Sequence, residues 1–269
     1  AIVEASDLFP GQAYEFRTEV RSAGGKSQRV PTSTLSGRFR TLPAVDEQRA
    51  FRLAVATCQE FDDRDGPHGF DAYRTMLHRK TEALVMAGDV VYYDAYARNR
   101  PLAHYLWQRT YGLPTVVEFH RQIPAYFLKD DHDTYMDDSW PGQELAWAEG
   151  FTFEEGQEIF RQQTGLPDVP YRSLRIGRDL EVWMLEGRDY RSPNNVPDGP
   201  EKTILGAEQK RWLIDGLTAS TAKYRIVIPP TPWVGPDRDK KRDNYSNANF
   251  AVEGSELRGV LAEFPNTVI

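Results

Sequence analysis

The sequence predicts an α/β protein, on three observations. Short apolar runs at 51–57, 84–87 and 125–128 have the length of buried strands rather than of globular helices. Apolar residues at helical spacing fill much of the chain between and after them. Each run also stops abruptly on polar side chains, at Cys58-Gln59-Glu60, at Gly88-Asp89, and at the KDDHD sequence of 129–133. Ligands of open α/β sheets bind beyond the carboxyl ends of the strands, so these three ends are where chemistry is expected.

The elements follow in order. A turn at 8–11 precedes a period-two stretch at 14–20, Gly24-Gly25 makes a second turn, and 36–43 reads as another strand. After the strand at 51–57 comes an Asp- and Gly-rich loop. A helix over 69–80 then carries Phe70, Tyr73, Met76 and Leu77 on one face. Helical patterns at 100–112 and 116–121 end before Pro124, and the helix at 153–164 closes at Gly165. Strands at 171–176 and 180–185 flank Gly177-Arg178-Asp179, a hairpin signal. A helix at 206–218, a strand at 224–228, a helix at 257–264 and the start of a strand at 267–269 complete the chain.

Composition narrows the function. With 269 residues the chain suits one large domain, or a domain with an appendage, and 40% hydrophobic residues allow a packed core. A net charge of −7 argues against a general nucleic-acid binder, which needs basic excess to neutralise phosphates. The single cysteine excludes an intrachain disulfide and leaves the compartment open. No apolar run approaches the ~20 residues of a membrane span. The first residues lack the features of a signal peptide, although a leader removed before Ala1 would leave the same start.

The candidate chemistry is acidic. Positions 130–138 hold five aspartates, and carboxylates this close raise one another's pKa unless a cation offsets them. Hard cations such as Ca²⁺ and Mg²⁺ favour that oxygen donor set, while a solvated, capping turn would use the same residues. Cys58 would ordinarily be a small buried hydrophobe, but its place at a strand end favours a ligand. Tyr92 would ordinarily be a packed aromatic, yet a phenolate binds Fe³⁺. His68, His78, His104 and His120 have no partner at ligand spacing. Nucleophile-elbow, P-loop, dinucleotide-binding and HExxH signatures are all missing, which leaves metal-assisted hydrolysis. In that chemistry Asp89 would bridge two ions that hold a hydroxide and clamp the phosphoryl oxygens.

The motifs ATCQ at 56–59, GDVVYYD at 88–94 and DDHD at 130–133 resemble those of the PhoD-like alkaline phosphatases and phosphodiesterases, within the calcineurin-like metallophosphoesterases. LEGRDYR at 185–191, LGAEQKRWL at 205–213 and PTPWVGPDR at 230–238 extend the likeness. The first 43 residues, with LFPG, YEFR and FRTLP, resemble the last two strands of a fibronectin type III domain, with Tyr14 as the corner tyrosine.

The resemblance implies an αββα two-sheet sandwich over 49–269, preceded by a partial fibronectin-like segment over 1–43. Its implied ions are Fe³⁺ and Ca²⁺, with Zn²⁺, Mn²⁺ or Mg²⁺ as alternatives. Cys58, Asp89, Tyr92, Asp131 and Asp130 are the implied ligands. His132 would contact phosphate or assist the leaving group, and Arg188 would steady the substrate's charge. The implied activity is hydrolysis of phosphate mono- or diesters, outside the cell or in the periplasm; the rival is a non-catalytic Ca²⁺-binding or adhesion module. The family closes its site with a GDxH segment, whereas no His follows His132 here. The sequence therefore predicts that both ends are truncated and that the 269 residues alone bind metal weakly.

Overall fold

A computed structural model of the chain describes residues 3–20, 33–144, 150–235, 237–238 and 240–269. Its first unit is a hairpin of β1 (Ala13–Val20) and β2 (Ser33–Arg40), antiparallel with Tyr14 opposite Phe39. The two rings stack at 5.6 Å, and the Tyr14 hydroxyl accepts a hydrogen bond from the Phe9 N–H at 2.8 Å. The Gly24-Gly25 turn lies outside the described residues. The hairpin abuts the rest of the chain, where the Arg38 N–H donates to the Arg121 carbonyl at 2.7 Å.

The first sheet is parallel, in the order β3 (Leu53–Ala56), β4 (Ala83–Ala87), β5 (Ala125–Leu128). Helix α1 (Asp71–His78) crosses from β3 to β4; α2 (Tyr93–Tyr96), α3 (Arg100–Tyr111) and α4 (Pro114–His120) cross from β4 to β5. Helix α5 (Phe153–Thr164) follows, opened by a capping box of Thr152 with Glu155 and closed by Gly165 in the left-handed region. The second sheet has the order β6 (Arg172–Ile176), β7 (Leu180–Met184), β8 (Tyr224–Ile228), β9 (Thr267–Val268). Its β6–β7 pair is antiparallel around Gly177, and the other pairs are parallel. Helices α6 (Gly206–Ala219) and α7 (Ala251–Ala262) supply the crossovers.

The sheets meet face to face. Val85, Ala87 and Leu128 of the first pack on Ile176, Val182, Met184 and Ile228 of the second. The alternate residues Leu84 and Met86 turn to the helices and join Tyr73, Leu106, Trp107 and Phe160. On the far side Trp183 and Val227 pack with Leu213 and Leu217 of α6 and Leu257 of α7. Every residue of β4 is therefore buried, which explains an unbroken apolar run without polar alternation.

Two elements differ from what the sequence pattern showed. Helix α7 starts at Ala251, six residues earlier than its apolar spacing indicates, because its Phe250 cap makes no side-chain cap bond and no start signal is written there. The one-turn helix α2 after Tyr92 is too short to leave a periodic signature.

His120, the last residue of α4, packs among Tyr73, Tyr111 and Phe127, and its Nε2 is buried with no partner among the described residues. Burial pushes its pKa down to about 4. The unfolded chain, with an ordinary imidazole near 6.5, takes up the proton first as pH falls. His120 thus contributes stability that is intact above about 6.5 and lost on the way down to about 4, on the order of 3 kcal/mol. Replacing it (His120→Phe) should flatten that limb when urea midpoints are compared at pH 7 and pH 4.5. An unchanged difference between the two midpoints would remove His120 from the acid response.

Candidate metal centre

The site is built from adjoining strand ends. Beyond β3 and β4 the chains stay paired, the Cys58 N–H donating to the Gly88 carbonyl at 3.3 Å and the Gln59 N–H to the Asp89 carbonyl at 2.8 Å. Cys58 and Asp89 both have left-handed backbones, with φ of 57° and 56°, a conformation uncommon for non-glycine residues. Gly88 (φ 94°) must be glycine, since a Cβ there would stand 2.5 Å from the Asp130 Cβ. Asp133, fully buried, fastens the β4 and β5 loops together. Its carboxylate accepts the Val90 N–H at 3.0 Å and the Asp130 N–H at 2.6 Å.

These contacts gather Cys58, Asp89, Tyr92, Asp130, Asp131 and His132 along one cleft of about 390 Å³. Ligand atoms of Asp89, Asp131 and His132 lie within 4.8 Å of one another, and the Cys58 Sγ is 3.5 Å from Asp89 Oδ2. Cys58 is exposed to the cleft, not packed in the core. The other Asp89 oxygen, Oδ1, is buried with no hydrogen-bond partner among the described residues. A buried carboxylate oxygen left unpaired is costly, and a cation is the partner that the carboxylate, phenol and thiol donors of this cleft fit.

The electrostatics agree. Burial, then the neighbouring Asp130, Asp131 and Asp133, pushes the Asp89 pKa up to about 9. Burial also raises Asp130, to about 7, and the partial shielding of the cleft raises the Cys58 thiol and the Tyr92 phenol. Burial opposes ionisation of Asp131 as well, but Arg188, His132 and the Asp138 N–H hold it below the usual carboxylate range. For His132, burial disfavours charge, yet Asp94, Asp131 and Asp89 outweigh it and lift the imidazole to about 10. The cluster holds protons that a cation would displace, which makes ion uptake pH-dependent.

Several functional neighbours escaped the sequence. His132 Nδ1 lies 2.8 Å from Asp94 Oδ2, and its ring stacks on Tyr92 at 4.4 Å. Asp94 closes the GDVVYYD motif, and its spacing alone gave it no role. Lys241 bridges Asp137 and Asp138, and Arg238 and Asp243 line the cleft from the loop after β8. Arg188, which the resemblance implies beside the substrate, stands back from the cleft surface. Its side chain is 1% exposed, and its guanidinium is committed to Asp130, Asp131 and Asp243 behind the cleft.

A family model described as PhoD-like phosphatase matches residues 53–257. The chain belongs to the PhoD-like phosphatase family. It is 24% identical over 268 residues to alkaline phosphatase D of Bacillus subtilis (strain 168), covering 84% of this chain and 43% of that protein. A solved structure of PhoD superposes with a TM-score of 0.75 at 18% identity, over 98% of this chain and 57% of that one. The purple acid phosphatase PPD1 from yellow lupin (Lupinus luteus) seeds gives a TM-score of 0.52 at 14% identity, over 82% and 36%. These likenesses show a fold shared with phosphatases, and the chain spans about half the length of its PhoD relatives. Among the described residues of this PhoD-like chain, no helix is long and apolar enough to cross a membrane.

Proposed function

We propose that the cleft hydrolyses phosphate mono- or diesters with Fe³⁺ and Ca²⁺ as resident ions, Zn²⁺, Mn²⁺ or Mg²⁺ being the alternatives. The observation that carries this reading is the buried Asp89 Oδ1, which has no hydrogen-bond partner among the described residues, in a phosphatase-family cleft. Asp89, Cys58, Tyr92 and Asp131 would hold the ions, with Asp130 beside them. Such ions supply Lewis-acid charge to phosphoryl oxygens and acidify water for in-line attack.

The remaining steps belong to side chains. Asp94 holds His132 by Nδ1, which fixes the ring and leaves Nε2 to contact phosphate or to protonate the departing oxygen. Arg238, which lines the cleft, would offer positive charge to an anionic substrate, while Lys241 is held by Asp137 and Asp138. Within this reading 49–269 is the catalytic domain. Residues 1–43 form a partial fibronectin type III-like segment, a reading supported by the Tyr14–Phe9 bond, which has the form of a tyrosine corner. We place the enzyme outside the cell or in the periplasm. Metal-dependent release of p-nitrophenol from p-nitrophenyl phosphate or its bis-ester tests the activity; full metal loading without release from either ester would end this reading.

The iron assignment has its own test. A thiolate and a phenolate on Fe³⁺ absorb visible light by charge transfer, so the iron-loaded protein should be coloured. Tyr92→Phe should shift or bleach the band without unfolding, since it removes a hydroxyl alone. Cys58→Ser should lower iron retention more than stability. Colourless protein that retains hard divalent ions and works unchanged as Cys58→Ser would show that Cys58 is no ligand.

A further inference from the structure

The Arg188 guanidinium lies where three chain segments meet. Nε reaches Oδ1 of Asp130, Nη2 stands 3.1 Å from Oδ2 of Asp243 and 3.6 Å from Oδ2 of Asp131, and Nη1 donates to the Ser139 carbonyl at 3.2 Å. Asp130 and Asp131 follow β5 of the first sheet, whereas Asp243 follows β8 and Arg188 follows β7 of the second. The aim of Arg188 is set from behind. The Glu186 carboxylate accepts the backbone N–H of Arg188 at 2.9 Å and of Asp189 at 2.7 Å, and pairs with buried Lys129.

We propose that Arg188 is a positioning residue, an internal clamp that holds the cation-binding carboxylates of the first sheet in register with the second and does not touch substrate. The proposal rests on the metal-dependent reading above. Like-charged carboxylates this close repel, and a fixed cation among them sets their spacing before any ion arrives. Arg188 engages one oxygen each of Asp130 and Asp131, so the second oxygen of each is not spent on it. The planar fork matters as much as the charge, because it presents donors from three separate nitrogens in fixed directions, whereas a lysine ammonium gathers its three donors on one flexible point.

The charge-conserving variant Arg188→Lys therefore isolates geometry from net charge. Binding of Mn²⁺ to the dialysed protein, and of inorganic phosphate to the Mn²⁺-saturated protein, would both be measured by calorimetry. The Mn²⁺ dissociation constant should rise about 10- to 100-fold, the usual effect of losing a partner that orients ligands. Phosphate affinity at saturating Mn²⁺ should stay unchanged. Glu186→Gln, which loosens the turn that aims Arg188, should act in the same direction less strongly. Unchanged Mn²⁺ affinity in both variants overturns the clamp, and so does a wild-type chain that takes up no Mn²⁺. Weakened phosphate binding at saturating Mn²⁺ also overturns it, because Arg188 would then touch the anion. Failure of both variants to fold overturns it too, since Arg188 would be serving the fold. A wild-type chain that binds Mn²⁺ but hydrolyses no ester refutes the hydrolase reading alone, since neither calorimetric arm uses turnover.

Discussion

Asp89→Asn should reduce phosphate-ester hydrolysis by the ion-loaded protein at least about 10²-fold. The substitution keeps the side chain's shape and its left-handed backbone, which asparagine tolerates. It would replace a carboxylate proposed to hold the ions by a neutral amide, a poorer ligand for cations. Stability should respond in the opposite sense. Burial and three neighbouring aspartates raise the Asp89 pKa to about 9, so ionising this carboxyl without a cation destabilises the fold progressively as pH rises from its unfolded value to about 9. The ion-free variant should therefore melt no lower than the ion-free wild type at neutral pH. Added metal should raise the wild-type melting temperature and leave that of the variant nearly unmoved. Near-normal turnover by Asp89→Asn at normal metal content would sink the bridging role.

The largest loss of stability is expected from Lys129→Met. Lys129 follows β5 with its side chain 1% exposed, and its ammonium pairs with Glu186 and Asp189. Burial disfavours the charge, but those two carboxylates more than compensate and hold the ammonium protonated. Removing it leaves Glu186 buried without its counterion, which costs about 3–5 kcal/mol for a pair of this kind. The urea midpoint should fall accordingly. Adding Glu186→Gln to Lys129→Met should restore part of the loss, because the orphaned charge is gone while Gln157 still holds Asp189. A single variant within about 1 kcal/mol of wild type would mean that water reaches the pair and screens it.

The sequence by itself determined the strand ends and most of the crossovers. Apolar runs and caps are local signals, so β4, β5, α5 and the Gly177 hairpin stand where periodicity puts them, to within a residue. It also carried Cys58, Asp89, Tyr92, Asp130, Asp131 and His132 as one constellation, since each follows a readable strand in a recognisable motif. Only the tertiary structure decided what those residues meet. Asp94 reaches His132 across 38 positions, and Arg188 reaches Asp243 across 55 and Asp130 across 58. Such contacts depend on strand order and on one sheet stacking over the other. Hydrophobic pattern specifies which face of a strand is buried, but not which loop lies beyond its end. For that reason an arginine that reads as a substrate contact in the sequence is an interior counterion in the fold. Lys241 and Asp243, which the sequence pattern gave no place in the site, line the same cleft.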